Sequence, residues 1–312
     1  MQSALLILSL VLGQTTDEPP LRKETPSNAV TEKASPWDIT RSIEFGGQKR
    51  SYHFHLPTGY TPKKAFPLVV ALHGAGMTAR IMELFSGLTT KADEAGFIVV
   101  YPNGTGTFQT WNAGAFPGRF NRSDDIGFLD KLLDDVESIA NVDTKRIYVT
   151  GMSNGGMMSY RVGAELSHRV AAIAPVAGTL VLAKWEPKHP MPVLHFHGTE
   201  DNLVPYKGSP KFSPDFVSFR PVEDAIRTCV KANGCDETAK VSELPTPKDK
   251  LKVTRKEYPA GPTGAEVILY VVEGGGHIWP GRPIPGPFLG PTTYNIAAND
   301  IIWDFFKQHS RK

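Results

Sequence analysis

Ser153, Asp201 and His277 are the residues of this 312-residue chain whose types, order and settings suit nucleophilic catalysis. A serine hydroxyl is a weak nucleophile until an imidazole takes its proton. The imidazole works well only when a carboxylate fixes which ring nitrogen carries the hydrogen. Ser153 stands within Gly151-Met152-Ser153-Asn154-Gly155, after the apolar run Arg146–Thr150 and before a helix-forming stretch that starts at Gly156. At such a strand-to-helix turn the hydroxyl stands clear of the sheet, the glycines leave room, and the helix N-terminus favours developing negative charge. Asp201 closes His197-Gly198-Thr199-Glu200-Asp201, after the run Val193–Phe196, and its neighbour Glu200 is the rival acid. His277 follows the run Val267–Val272 and the turn-permitting Gly274-Gly275-Gly276. The expected chemistry is acyl transfer to water through an acyl-enzyme.

The tetrahedral intermediate also needs N–H donors for its oxyanion. Asn154, next after the nucleophile, supplies one, and Ala75 in Leu72-His73-Gly74-Ala75-Gly76-Met77 supplies the other, with Gly76 as the alternative. Trp111, Trp279 and Tyr206 are the candidate substrate wall, with Phe212, Phe216 and Phe219 as further aromatics. Core packing competes for the same side chains. Among the other histidines, His53, His55 and His195 lie inside strands, and His168, His189 and His309 sit in polar settings. His73 and His197 precede glycines at strand ends and read as loop-holding hydrogen-bonding groups.

The elements that must position these groups follow from periodicity. Ile43-Glu44-Phe45, Gly46-Gly47 and the alternating Tyr52–Leu56 predict an antiparallel hairpin. The short apolar runs Pro67–Leu72, Phe97–Tyr101, Arg146–Thr150, Val170–Val176, Val193–Phe196 and Val267–Val272 predict buried parallel strands with crossover helices between them. Asp124–Ile139 places Ile126, Leu129, Leu132, Leu133 and Val136 at helical spacing, and Ile296–Gln308 predicts a closing helix. The fold class is therefore α/β, with a mostly parallel central sheet, antiparallel N-terminal strands and helices on both faces, and the serine turn with the order Ser153, Asp201, His277 points to an α/β-hydrolase fold.

Composition agrees with one catalytic domain over residues 37–312. Residues 1–13 read as a signal peptide with an apolar run Ala4–Leu12 but no Lys or Arg before it, which makes a secreted or periplasmic location the expectation. Residues 14–36, rich in Thr, Pro, Glu, Lys and Ser, read as a flexible linker. With 34 Lys plus Arg against 32 Asp plus Glu the net charge is +2, and no basic run offers a surface for nucleic acid or membrane. The expected partner is a small-molecule or polymer-linked ester. No nucleotide loop, haem motif or metal-ligand cluster is present, so neither cofactor nor metal is expected, and oligomeric state has no sequence signal. Cys229 and Cys235 are the only cysteines; a local disulfide is the expectation, and two unpaired thiols near a helix end the alternative.

The ordered series Leu72-His73-Gly74, Tyr101-Pro102-Asn103-Gly104, Trp111-Asn112-Ala113-Gly114, Asp124-Asp125-Ile126-Gly127-Phe128, the serine turn, His197 to Asp201 with Val204-Pro205-Tyr206, Asn233-Gly234-Cys235, Gly275 to Gly281 and Ile302-Trp303-Asp304-Phe305-Phe306 resembles a family of α/β-hydrolases. It is that of bacterial exported esterases, with polyhydroxybutyrate depolymerase-like and feruloyl esterase-like members. The resemblance implies the same roles for Ser153, Asp201 and His277. One departure is that Ala113 to Gly118 carries no cysteine where relatives commonly do. A feruloyl-type plant-wall ester is the first expectation, because no polymer-binding domain follows the catalytic one. Polyhydroxybutyrate oligomers are the second and acetylated xylan the third. A serine peptidase or a non-catalytic binding protein fits less well, since no gating domain is seen and no triad member is missing.

Overall fold

Each central strand is apolar on both sides, and that dictates a sheet covered on both faces. The computed structural model describes residues 38–114, 123–209, 218–283 and 286–312. The expected signal peptide and linker, Phe212, Phe216 and the cysteine-free stretch after Gly114 lie outside them. A ten-stranded sheet runs in the order β1-β2-β4-β3-β5-β6-β7-β10-β9-β8. Its strands are β1 (Asp38–Phe45), β2 (Gln48–His55), β3 (Phe66–Leu72), β4 (Ile98–Pro102), β5 (Val142–Met152), β6 (Ala172–Val176), β7 (Val193–Gly198), β8 (Lys240–Leu244), β9 (Val253–Tyr258) and β10 (Val267–Val272). From β4 through β3, β5, β6 and β7 to β10 neighbouring strands are parallel, and β1, β2, β9 and β8 join antiparallel at the two ends.

The two-residue alternation of the strands divides the core in two. Leu68, Val70 and Leu72 of β3 point to one apolar cluster and Val69 and Ala71 to the other. Helices α3 (Asp125–Ile139), α4 (Asn154–Glu165) and α5 (Val222–Asn233) pack into the first cluster. Helices α1 (Ala79–Ser86), α2 (Leu88–Ala95) and α6 (Ala298–Phe306) pack into the second. The hairpin and six parallel strands expected from the sequence are all present. The β8–β9 hairpin was not expected, because Lys240–Leu244 and Val253–Tyr258 carry mostly polar residues and Val241 is exposed.

The expected Cys229–Cys235 bridge does not form, and both thiols are free and buried. Cys229 faces the core from α5, whereas Cys235 lies beyond the left-handed Gly234 cap and donates its S–H to the Ala265 carbonyl at 3.1 Å. The helix end turns the second sulfur toward the β10 lead-in.

Candidate active site

Parallel strands end at one edge of the sheet, and the loops that leave those ends carry the candidate chemistry. Ser153 follows β5, Asp201 follows β7 and His277 follows β10. Ser153 has φ 57° and ψ −120°, a strained conformation for a residue with a side chain, and its N–H donates to the Val176 carbonyl at 2.9 Å. The turn is possible because its glycines are in contact with backbone. A Cβ on Gly155 would run into the Leu72 carbonyl, and one on Gly151 would lie 2.5 Å from the Gly155 oxygen. Helix α4 starts immediately at Asn154, so its first N–H groups have no partner within the helix.

Asp201 and His277 meet directly. The His277 Nδ1–H donates to Asp201 Oδ2 at 2.7 Å, with both residues buried. The other oxygen, Oδ1, accepts the N–H groups of Leu203 at 2.9 Å and Val204 at 2.8 Å. Burial alone would raise this carboxyl, but the hydrogen bonds from His197 and His277 outweigh it and hold the group well below the ordinary carboxylate range. Glu200, one residue earlier, uses its backbone N–H on the Gly275 carbonyl and does not make the His277 contact. The histidine loop is braced from behind, since the His277 N–H donates to Leu289 O at 2.6 Å and the Gly276 N–H to Pro291 O at 2.9 Å.

The loop after β3 approaches the nucleophile closely: a Cβ on Gly74 would lie 3.4 Å from the Ser153 Cβ. Of the two oxyanion candidates there, Gly76 has its N–H bound to the Phe108 carbonyl at 2.8 Å, while Ala75 is exposed. Gly76 is therefore engaged elsewhere. The Asn154 side chain holds the facing loop by accepting the Trp111 N–H at 2.7 Å and donating to the Trp111 carbonyl at 3.2 Å.

Two substrate-wall expectations are corrected. Trp111 and Trp279 are each only 1% exposed, and their indole N–H groups are bound, to the His73 carbonyl at 3.0 Å and to Asn299 Oδ1 at 2.8 Å. Both are scaffold, because spacing along a loop does not say which way an indole turns. Tyr206 is half-buried; its ring stands edge-on to His197 and its hydroxyl donates to Glu223 at 2.5 Å. Phe219 is half-buried against the core.

The exposed apolar groups at this edge are different residues. Phe108 is 51% exposed beside the loop after β3, Phe288 is 49% exposed on the segment that braces His277, and Leu203 is 39% exposed beside Asp201. Nothing in their sequence positions marked them. The exposure of an apolar side chain next to a reactive loop is the signal, and only the fold supplies it.

His73 acts as expected. It donates through Nδ1 to the Gly74 carbonyl and accepts the Gly104 N–H at Nε2, both at 2.8 Å, and burial lowers its pKa to about 4, so it stays neutral. The loop it helps to hold is also tied by Asp125, which accepts the Asn112 N–H at 2.7 Å and the buried Arg50 guanidinium at 2.8 Å. A cavity of about 320 Å³ lined by Lys49, Arg50, His53, Thr78, Arg80 and Gln109 contains none of the three catalytic candidates. Among the described residues no cluster of His, Cys, Asp and Glu could hold a metal, and no helix is long and apolar enough to cross a membrane.

Comparison with known proteins places the chain in a family. Residues 60–230 match the family described as phospholipase/carboxylesterase. NocK of Nocardia uniformis subsp. tsuyamanensis, which carries an esterase designation, is 32% identical over 281 residues, covering 85% of this chain and 81% of that protein. Feruloyl esterase B of Piromyces equi is 32% identical over 82% of this chain, which spans 44% of that longer protein. An acetyl xylan esterase from Aspergillus awamori superposes with a TM-score of 0.59 at 17% identity over 86% of this chain and 99% of its own, a likeness of fold.

Proposed function

Because this chain belongs to the phospholipase/carboxylesterase family and is a carboxylic ester hydrolase, we propose that it works through a Ser153 acyl-enzyme on feruloyl-type plant-wall esters. The observation that carries the mechanism is the buried Asp201–His277 contact at 2.7 Å on the same sheet edge as the strained Ser153. In this reading His277 takes the Ser153 proton as the hydroxyl attacks the ester carbonyl, then returns it to the leaving alcohol. Water repeats the sequence to free the acid. Asp201 keeps the proton of neutral His277 on Nδ1, which leaves Nε2 as the base. The N–H groups of Ala75 and Asn154 receive the oxyanion at the start of α4.

Feruloyl specificity is supported by the Piromyces relative and by the exposed Phe108 and Phe288, which suit an aromatic acyl group better than a short aliphatic one. The apolar run Ala4–Leu12 supports export, with N-terminal sequencing of the mature protein as its check. The substrate reading is tested by comparing kcat/KM on methyl ferulate, p-nitrophenyl acetate and hydroxybutyrate oligomers. The highest value is expected on methyl ferulate. A clear preference for the oligomers would move the assignment to polyester hydrolysis, and a preference for the acetate would move it to deacetylation.

A further inference from the structure

The catalytic acid in this reading has a second imidazole against it. His197 Nε2 lies 2.8 Å from the Val204 carbonyl and 3.3 Å from Asp201 Oδ2, the oxygen that also binds His277. On the other side of its ring, His197 Nδ1 is 3.1 Å from His195 Nε2, and His195 Nδ1 is 2.8 Å from the Tyr160 hydroxyl. His195 and His197 stand two residues apart on β7, so both project from one face of the sheet, toward α4 where Tyr160 sits. Their rings are nearly parallel, 9° apart with centroids at 5.3 Å, which suits an in-plane N–H···N bond, and all three side chains are 2% exposed or less.

The direction of every proton in this line can be worked out from its ends. Nε2 of His197 faces only acceptors, a carbonyl and a carboxylate, so it carries hydrogen. At the other end of the line the hydrogen of the buried Tyr160 hydroxyl meets the His195 Nδ1 lone pair. Burial pushes His195 well below the ordinary histidine range, so it has one proton; with Nδ1 accepting from Tyr160, that proton sits on Nε2 and is donated to His197 Nδ1. Burial also pushes the tyrosine far above its usual value and keeps its hydroxyl protonated. The opposite direction would leave the buried Tyr160 hydrogen without an acceptor among the described residues. One hydroxyl therefore sets the tautomers of two rings.

We propose that Tyr160, His195 and His197 form a buried hydrogen-bond relay that presents the His197 Nε2–H to the Val204 carbonyl and, at 3.3 Å, to Asp201, and so holds the carboxylate in the position from which it orients His277. The three are positioning residues, acting through the acid and touching no substrate. The proposal rests on Asp201 being the acid, as proposed above. The relay explains why a loop carboxylate two strands from the nucleophile has one oxygen fixed by backbone N–H groups and the other by two imidazoles.

The test is a double-mutant cycle on the full chain, reading kcat, KM and thermal midpoint with p-nitrophenyl acetate. His197→Leu removes the N–H, His197→Gln keeps one at the same reach, and Tyr160→Phe removes the proton that sets the relay. His197→Leu is expected to lower kcat about 10- to 100-fold with KM within about twofold, the scale of losing a hydrogen bond to a charged group. His197→Gln should recover most of that loss, and Tyr160→Phe should cost a few-fold in kcat alone. In an Asp201→Asn background, where no carboxylate is left to position, the same changes should alter the residual kcat by less than about twofold. Equal losses in both backgrounds, or a Gln variant no better than Leu at equal folded fraction, would overturn the relay. If His197→Leu does not fold, Tyr160→Phe alone completes the cycle with the same two outcomes. Near-normal activity of Asp201→Asn itself would instead overturn the triad, and the relay with it.

Discussion

Two carboxylates are sunk in this protein to nearly the same depth, and their surroundings push them in opposite directions. Asp125 at the start of α3 is fully buried and ion-paired with the buried Arg50, yet its pKa is raised. Asp201 is 3% exposed with imidazoles and amides around it, yet its pKa is lowered. In both, burial is the largest single influence and acts upward. At Asp125 the donors do not overcome it, and the Arg50 guanidinium is itself lowered by burial, so each member of the pair is pushed toward neutrality. At Asp201 donors converge on both oxygens and reverse the effect. A counter-charge alone is thus a poor guide to the direction in which a buried carboxyl is shifted. Asp125 ties the 103–112 loop to α3, and Asp201 accepts the His277 Nδ1–H.

The largest expected consequence of that difference is at the acid. Asp201→Asn should lower kcat by about 10³- to 10⁴-fold with the protein folded, because an amide no longer fixes the His277 tautomer. Glu200→Gln, measured alongside, should change it less than about twofold. If the glutamate variant were the damaged one, the acid would have to be reassigned. At Asp125 the loss should fall on stability instead. Asp125→Asn leaves the Arg50 guanidinium buried without its counter-charge, and urea unfolding should show a loss of about 3–5 kcal/mol, with kcat of the folded fraction reduced less than tenfold. A catalytic collapse without loss of stability would place Asp125 in the reaction.

Acid titration sharpens the same contrast. Asp201 has a folded-state value below its unfolded one, so its contribution to stability is present above the ordinary carboxylate value of 3.8 and is lost as pH falls from there through the lower folded-state value. Asp125 has a folded-state value above its unfolded one, so the native state takes up that proton first, and acidification toward 3.8 favours folding at this site. Unfolding free energies measured from pH 6 to 3 should therefore fall less steeply in Asp201→Asn than in the parent, and more steeply in Asp125→Asn. Identical slopes in both variants would mean the two carboxylates are not distinguished by their surroundings.

Much of the scaffold around these acids was legible in the sequence. The short runs of Val, Ile and Leu between Gly, Pro and Asn can hardly be anything but buried parallel strands, and Ser153, Asp201 and His277 follow three of them in the order the chemistry needs. What could not be read was direction. Trp279 is two residues past His277, yet its indole turns inward to Asn299, and the apolar exposure falls to Phe108 and Phe288. The Cys229–Cys235 bridge failed for the same reason, since closeness in sequence does not aim two sulfurs at each other. The His195-x-His197 spacing carried a usable signal, because residues two apart on a strand share a face, but its partner Tyr160 comes from another element.

The smallest expected effects concern that rim. Phe288→Ala and Phe108→Ala should each lower kcat/KM on methyl ferulate about two- to tenfold more than on p-nitrophenyl acetate, the scale of one aromatic contact. Trp279→Ala should instead cost about 3–5 kcal/mol of stability and reduce both activities alike. A ferulate-selective loss at Trp279 would return it to the substrate wall.

The proposed nucleophile, Ser153, is the most direct point of attack. A fluorophosphonate reacts with a serine only when a base has activated it, and the adduct can be located by peptide mass spectrometry. The expected result is one adduct per chain, on Ser153 alone, appearing as ester hydrolysis disappears and failing to form in His277→Ala. Full loss of activity with the label on any other residue, or undiminished hydrolysis by a chain fully labelled at Ser153, would contradict it.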